Sequence, residues 1–164
     1  MSLSNRRKLM LGAAFLFASA CNFTPVYGPD AAGSKLEGRI SVSAPSTREQ
    51  YLVTRRLETR LGRSDPTPMT LTYSVSHSRA GLGTTATGST TRLHRTGSLS
   101  YSLKNTGSGE VIDKGSVTNF AGYSATGNTA ASLAAESASI ERLMDILADQ
   151  LVDRLHLIDP ALLP

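Results

Sequence analysis

The sequence predicts an α+β protein: a two-layer sandwich whose four-stranded, mostly antiparallel sheet carries two helices on one face, in the order β-α-β-β-β-α. Strict alternation of apolar and polar residues over 69–77 predicts a half-buried strand. Leucine and isoleucine at spacings of three, four or seven predict a long helix over about 129–157. A shorter stripe at Val53, Leu57 and Leu61 predicts another helix. Two amphipathic helices and a half-buried sheet bury their apolar sides most simply as two layers.

The first strand is predicted over residues 36–44, where Leu36, Ile40 and Val42 alternate with polar residues. Pro45 ends it. Ser46 and Glu49 have the spacing of a capping box, in which each residue satisfies a free backbone N–H of the other, so a helix is predicted to begin there. Gly62 is a natural end for this helix because glycine readily adopts the left-handed conformation that closes a helix.

The remaining strands follow without an intervening helix. Residues 79–91 are rich in Gly, Thr and Ser and predict a mobile hairpin tip after the second strand. Alternation resumes over 93–103 and predicts the third strand, and residues 105–109 predict a turn. The fourth strand is predicted from Val111, Val117 and Phe120, and a Ser-, Gly- and Ala-rich stretch over 121–132 then leads into the long helix.

The chain begins with a predicted export signal over residues 1–20. Arg6, Arg7 and Lys8 come first, and residues 9–20 form an uninterrupted run of apolar and small residues. This order is typical of a bacterial secretory signal. The run is too short for a permanent transmembrane helix, which needs about 20 apolar residues. Residues 5–10 also loosely resemble a twin-arginine signal.

Cys21 is the only cysteine, and it directly follows the predicted signal. Since a lone cysteine cannot form an internal disulfide, an exported protein that keeps it needs another use for the thiol. We predict that Cys21 is lipidated and becomes the first residue of the mature protein. Ordinary signal cleavage at the same bond and an incidental cysteine are the alternatives, and Ala18 stands where lipoprotein signals usually have Leu.

The predicted division is therefore a signal peptide over 1–20, a lipid anchor and tether over 21–34, and a single domain over 35–160. Three of the 17 Lys and Arg lie in the signal, which leaves 14 basic and 13 acidic residues. The mature charges are uneven, with 11 basic and 4 acidic residues over 35–104 but 3 and 8 over 105–164. A basic half suits anionic lipid or an acidic partner. Export argues against nucleic acid as a partner.

The start of the predicted mature chain, Cys21-Asn22-Phe23-Thr24-Pro25-Val26-Tyr27-Gly28, resembles the lipopolysaccharide-assembly lipoproteins (LptE) of the alphaproteobacterial type. Their pattern is a lipidated Cys followed by aromatic-x-Pro-x-Tyr-Gly, and Asn22 stands where Gly is more usual. The carboxy-terminal stretches 134–136 and 147–151 fit as well. The resemblance implies a non-enzymatic lipoprotein on the periplasmic face of the outer membrane. It would sit in the lumen of a β-barrel translocon (LptD), aid the barrel's assembly, and help insert lipopolysaccharide into the outer membrane.

Within this family, lipopolysaccharide offers phosphates, and the guanidinium group of arginine is their natural partner. Arg79, Arg92 and Arg95 flank the predicted hairpin tip and could converge across it. We predict that they contact lipid phosphates or acidic groups of the barrel, the alternative being ordinary solvated charges on strands. The helix arginines Arg55 and Arg56, together with Arg60, are expected to face the barrel or solvent.

Enzymatic function is not predicted. The sequence has no Gly-x-Ser-x-Gly nucleophile elbow. Residues 81–86 only faintly resemble a dinucleotide fingerprint. His77, His94 and His156 are too scattered for a metal site, so neither a metal nor another cofactor is expected. A soluble periplasmic ligand-binding or chaperone module with an unlipidated Cys21 remains the alternative function, and a lipid-anchored envelope enzyme would require a deep polar pocket.

Overall fold

A computed structural model describes residue 28 and residues 31–84, 90–125 and 128–164. Cys21 and the predicted signal lie outside the described residues. The described chain folds into three α-helices, four strands and one short 3-10 helix: α1 (Ala32–Leu36), β1 (Ile40–Val42), α2 (Arg48–Leu61), β2 (Met69–Thr84), β3 (Thr90–Asn105), β4 (Val111–Ser124), α3 (Thr129–Leu155) and the 3-10 helix Pro160–Leu162.

The four strands form one mixed sheet in the order β1-β2-β3-β4. Strand β1 pairs with β2 in parallel, starting with Ile40 opposite Met69, while the β2–β3 and β3–β4 pairs are antiparallel. A parallel pair requires a crossover connection, and α2 supplies it. The predicted fold class is confirmed, and the single parallel pair is a feature that the sequence pattern left open.

The core lies between the helices and one face of the sheet. In α3, the residues Leu143, Leu147 and Leu151 are fully buried, and so are Val53 and Leu57 of α2. The stripes predicted from sequence therefore face the sheet, except at Leu133 near the start of α3, which the spacing predicts to belong to the stripe but which is 61% exposed. Alternate residues of the strands complete the core from the sheet, on its helix-facing side. Among them are Met69, Leu71, Leu99 and Leu103. Burial of such side chains stabilises the fold by about 1.5–3 kcal/mol each.

The amino-terminal elements differ from the sequence prediction. Residues 32–36 form α1, although the sequence predicts a tether up to residue 34 and a strand from residue 36. Strand β1 is correspondingly short. Gly38 explains the break, because its φ of 66° lies in the left-handed region and its N–H donates to the carbonyl oxygen of Leu61 at 2.6 Å. Leu36 is therefore buried as the end of a helix.

Helix α2 begins one residue later than predicted. Thr47 is the N-cap, and its hydroxyl oxygen accepts a hydrogen bond from the N–H of Gln50. The side-chain oxygen of Gln50 accepts from the N–H of Ser46 at 2.7 Å. Gln50 thus completes the capping box, which leaves the predicted partner Glu49 free to reach the sheet.

The strands also extend into segments predicted to be irregular. Strand β2 continues to Thr84 and β3 starts at Thr90, so most of the hairpin predicted to be mobile over 79–91 is paired strand. Residues 85–89 lie outside the described chain. Strand β4 reaches Ser124, beyond the predicted end near Phe120. Continuous pairing with a long neighbour sustains a strand where local composition alone favours a loop.

Candidate functional site

A cluster of titratable side chains lies on the helix-facing side of the sheet, towards the β2–β3 hairpin. The register places Arg79 of β2 directly opposite Arg95 of β3, and His77 lies two residues before Arg79 on the same face. Helix α3 contributes Glu136 and helix α2 contributes Glu49. Four separate elements therefore bring five titratable side chains together.

Glu136 is the centre of this cluster. One terminal nitrogen of Arg95 donates a hydrogen bond to the carboxylate of Glu136, and Nη1 of Arg79 lies 3.7 Å from the same oxygen. The side chains of Arg95 and Glu136 are largely buried, whereas that of Arg79 is 57% exposed. The hydrogen bond from Arg95 lowers the pKa of Glu136 below its ordinary value. Glu136 is therefore a carboxylate at neutral pH that compensates a buried arginine.

His77 connects this pair to α2. Its Nδ1 lies 3.2 Å from Nη1 of Arg95, and its Nε2 lies 3.7 Å from Oε1 of Glu49. An arginine nitrogen can only donate, so Nδ1 accepts and the ring carries its proton on Nε2, facing Glu49. A hydrogen bond from its own backbone N–H lowers the pKa of Glu49, and the neighbouring His77 lowers it further. The cluster thus joins both helices to the sheet.

Of the three arginines predicted to act together, Arg79 and Arg95 meet at Glu136, whereas Arg92 does not join them. Arg92 and Arg95 are three residues apart on one regular strand, which places their side chains on opposite faces of the sheet. Arg92 is exposed and makes no ion pair with any residue in the described ranges. Arg95 is occupied by Glu136 and His77. Strand parity could have revealed this division from sequence, whereas no sequence signal pairs Glu136 with Arg95.

On the opposite face of the sheet, none of the helices that the structure describes is packed, and hydroxyl groups dominate. These are the side chains of Thr70, Thr72, Ser74, Ser76 and Ser78 on β2, Thr96, Ser98, Ser100 and Ser102 on β3, and Ser116, Thr118 and Ser124 on β4. The charged side chains described on this face, Arg92, Lys104 and Lys114, are all basic. Phe120 is 62% exposed there, and its ring makes an edge contact with His94. The surface is polar, cationic and open.

The helix arginines have partners within the molecule. Arg55 lies 3.3 Å from Glu141 of α3, and Arg60 lies 3.7 Å from Asp149. Arg56 makes a two-point contact with Asp149. Their side chains are still 37–50% exposed, so they face solvent as predicted but are committed to holding the two helices together.

No group of three His, Cys, Asp or Glu side chains in the described ranges is arranged to hold a metal ion. Among the helices of the same ranges, none combines the length and apolar character needed to cross a bilayer. The exposed basic side chains on the open face of the sheet are suited to binding anionic groups at a surface.

Comparison with solved structures finds the same fold in several bacterial proteins. A protein of Caulobacter crescentus CB15 described as a lipoprotein superposes with a TM-score of 0.62 and 22% identity, covering 76% of this chain and 92% of that one. Rare lipoprotein B from Shewanella oneidensis gives a TM-score of 0.54 and 16% identity, with coverages of 71% and 91%. A minor lipoprotein from Acinetobacter baumannii gives 0.53 and 16%, with coverages of 74% and 91%. At these identities the likeness shows the fold.

Sequence comparison finds no match among curated proteins. A family model, LptE, described as lipopolysaccharide-assembly, matches residues 38–155. The match spans β1 through α3, and therefore contains the whole sheet, both long helices and every member of the charged cluster. Because the match covers well over half of the sequence, this chain belongs to the LptE family of lipopolysaccharide-assembly proteins.

Proposed function

We propose that this protein is a lipoprotein of the outer membrane that partners and plugs a β-barrel lipopolysaccharide translocon of the LptD type. In this role it aids assembly of the barrel and insertion of lipopolysaccharide into the outer membrane. Family membership over residues 38–155 is the observation that carries the proposal. The role is one of binding and support, and it requires no catalysis, metal or cofactor.

The exposed face of the sheet supports a position inside a barrel. The interior of a large transmembrane barrel is polar. A plug therefore has to present hydroxyl and charged groups rather than an extended apolar patch, and the open face of β2, β3 and β4 meets that requirement with its serines and threonines. The helices on the other side bury their apolar stripes within the molecule, so the fold needs no further protein to complete its core.

Cys21 is the proposed anchor, and it places the domain at the periplasmic face of the outer membrane. Each buried methylene of an acyl chain contributes about 0.8 kcal/mol, and two or more chains hold a protein stably where one does not. Residues 22–27 separate Cys21 from Gly28, the first residue that the structure describes. At about 3.3 Å per extended residue, this length lets the domain reach a barrel embedded in the same membrane.

For the arginines we propose divided roles. Arg92 and the exposed part of Arg79 contact lipopolysaccharide phosphates or acidic groups of the barrel, because their guanidinium donors are accessible. Arg95 contributes indirectly: through Glu136 it fixes where Arg79 lies. Basic residues on the open face, Lys104 and Lys114, add to the same attraction for anions.

Affinity purification from membranes tests the proposed partnership. We expect a large β-barrel protein to copurify with the full chain, and we expect depletion of the chain to reduce lipopolysaccharide at the cell surface. Depletion that leaves surface lipopolysaccharide unchanged, with no barrel recovered, would refute the proposal.

Mass spectrometry of the mature amino terminus separates the anchored protein from the soluble alternative. A diacylglyceryl group on Cys21 supports the membrane role. A free thiol on a chain that fractionates with soluble periplasmic proteins supports a ligand-binding or chaperone module instead.

A further inference from the structure

A groove runs along the outer edge of β4, beside the carboxy-terminal end of α3. It consists of two adjoining hollows of about 300 and 290 Å³ that share Ser116, Arg154 and Leu157. Leu157 is 80% exposed at the rim, and Leu162 of the 3-10 helix, which lines the second hollow, is 61% exposed. Two large apolar side chains thus stand beside the same groove without cover in the described structure.

The strand edge in this groove is open. Strand β4 is the last in the sheet, and residues 112–118 line the two hollows. Within the described ranges, the backbone of 112–118 has no hydrogen-bonded partner besides β3. Further along β4, α3 covers the edge: Ser139 donates to the carbonyl oxygen of Ala121 and Arg142 to that of Gly122. An open edge next to apolar side chains is a template for another extended segment.

The chain enters the domain close to this groove. Nζ of Lys35, in α1, donates to the carbonyl oxygen of Pro160 at 2.8 Å, which fixes α1 against the 3-10 helix. The same 3-10 helix carries Leu162 to the groove two residues later. The carbonyl oxygen of Gly28, the first described residue, accepts from the N–H of Ala31 and from the hydroxyl of Ser34, the neighbour of Lys35.

We propose that residues 22–27, Asn-Phe-Thr-Pro-Val-Tyr, bind in this groove as an added strand along the open edge of β4. Phe, Thr, Val and Tyr favour extended backbone, and Pro is compatible with an edge strand. Phe23 and Tyr27 supply the apolar surface that would cover Leu157 and Leu162. At about 3.3 Å per residue, the five residues from Gly28 back to Phe23 are enough to lie along the strand.

The tether then does more than span a distance. Bound to β4, it closes the free edge of the sheet and holds Cys21 at a fixed side of the domain, so that the domain faces the membrane in one orientation. This contact involves only the chain itself, and it requires neither lipidation of Cys21 nor a bound barrel.

Proximity crosslinking in cells that produce the full chain tests this inference. Cysteines are introduced at Val26 (Val26→Cys) and at the groove (Ser116→Cys), and cells are treated with a short bismaleimide. The control pairs Val26→Cys with Ser74→Cys, which is exposed on the open face of β2, away from the groove. We expect an internal crosslink with Ser116→Cys several-fold above the control. A variant with Ser116→Cys alone shows how much crosslinking arises between position 116 and the native Cys21.

A second set of variants tests the apolar contacts. Leu157→Asp and Leu162→Asp together should remove most of the internal crosslink, whereas Leu133→Asp, an equally exposed position near the other end of α3, should leave it unchanged. All three side chains are exposed, so their replacement should leave the fold intact. An unchanged thermal unfolding midpoint verifies this for each variant. Equal crosslinking to Ser74→Cys, no crosslinking at all, or crosslinking only between two copies of the chain would each overturn the inference.

Discussion

Arg56 of α2 and Asp149 of α3 form a two-point ion pair, with Nε 2.9 Å from Oδ1 and Nη2 2.8 Å from Oδ2. Arg48 and Arg55 make further polar contacts along the same two helices. The helices run in the same direction because each leads back across the sheet from a strand of the same orientation. The interface between α2 and α3 is apolar on the side that faces the sheet and ionic on the side that faces solvent.

Asp149→Ala should lower the free energy of unfolding by about 1 kcal/mol at low salt, the upper end for exposed pairs, because a two-point geometry loses two hydrogen bonds at once. Both side chains are more than one third exposed, so the loss should shrink at high salt. Urea unfolding at two ionic strengths measures it. Glu58→Ala is the matched control, since its partner Arg63 is 78% exposed, and it should cost less. A loss that does not change with salt would contradict this account.

Glu136→Gln should destabilise the protein by about 1–3 kcal/mol at pH 7, since it leaves the largely buried Arg95 without its compensating charge. The comparison variant is Glu141→Gln on the same helix, whose partner Arg55 is half exposed. It should have a much smaller effect. Equal effects of the two variants in chemical unfolding would show that burial of the Arg95 pair contributes nothing.

The same carboxylate predicts an acid dependence of stability. The pKa of Glu136 is lowered from its ordinary value of 4.5 when the protein folds. The stabilisation that Glu136 supplies is therefore fully present above the pKa that this group has in the unfolded chain. It is lost as the pH falls through the pKa of Glu136 in the folded protein. We expect the wild type to lose stability more steeply than Glu136→Gln below about pH 4.5, and Glu49, whose pKa is also lowered, to supply part of the remaining slope. Parallel curves of unfolding free energy against pH would exclude this role.

Gly97→Val should destabilise the protein by about 1–3 kcal/mol, because the sheet and α3 meet closely at this position. A Cβ on Gly97 would lie 2.9 Å from Cδ1 of Leu147 and 3.0 Å from Cδ2 of Leu143. In the double variant with Leu147→Ala, the combined loss should be smaller than the sum of the two single losses. Gly122→Val, whose added Cβ meets only a backbone oxygen at 3.9 Å, is the control. If the losses of unfolding free energy in Gly97→Val and Leu147→Ala simply add, contact with Leu147 is not the cause of the destabilisation.

Arg92→Glu and Arg95→Ala should act in different ways. Arg92 is exposed on the open face, so its reversal should change the unfolding free energy by less than about 0.5 kcal/mol while it weakens recovery of the barrel or of lipopolysaccharide. Arg95→Ala should lower stability, because it leaves Glu136 without its main partner. Arg48→Glu, an exposed reversal in the helix layer, is the control for charge alone. Unchanged recovery with Arg92→Glu would remove Arg92 from the proposed contact surface.

The main architecture could be predicted from periodicity because burial imposes it directly. The alternation over 69–77 marks the face of β2 that lies under the helices, and the fully buried Leu143, Leu147 and Leu151 follow the predicted stripe of α3. Errors arose where local composition conflicted with pairing. The Gly-, Thr- and Ser-rich segment after His77 favours a loop by itself, yet pairing with the long antiparallel strand β3 holds it as strand up to Thr84.

The charged cluster could not be derived from the sequence. Arg95 and Glu136 are 41 residues apart, and their pairing depends on where α3 crosses the sheet. Sequence patterns indicate which side of an element is apolar, but they carry no information about which opposite charges meet. That Arg92 and Arg95 lie on opposite faces could have been predicted from the sequence. Residues an odd number of positions apart on a regular strand point to opposite sides of the sheet.

The order of the elements also determines how the domain responds to force. A membrane anchor at Cys21 would pull first on the contact that we propose between residues 22–27 and β4. Once that contact is released, the pull would reach α1 and then β1, whose ladder to β2 contains three residue pairs, from Ile40 to Val42. Strands β2 and β3, each of 16 residues, carry load only after those pairs have separated. We expect tension to peel away the first elements while β2, β3, β4 and α3 remain assembled. The short parallel strand β1 would then separate before the longer strands under tension and protect the rest of the domain from unfolding.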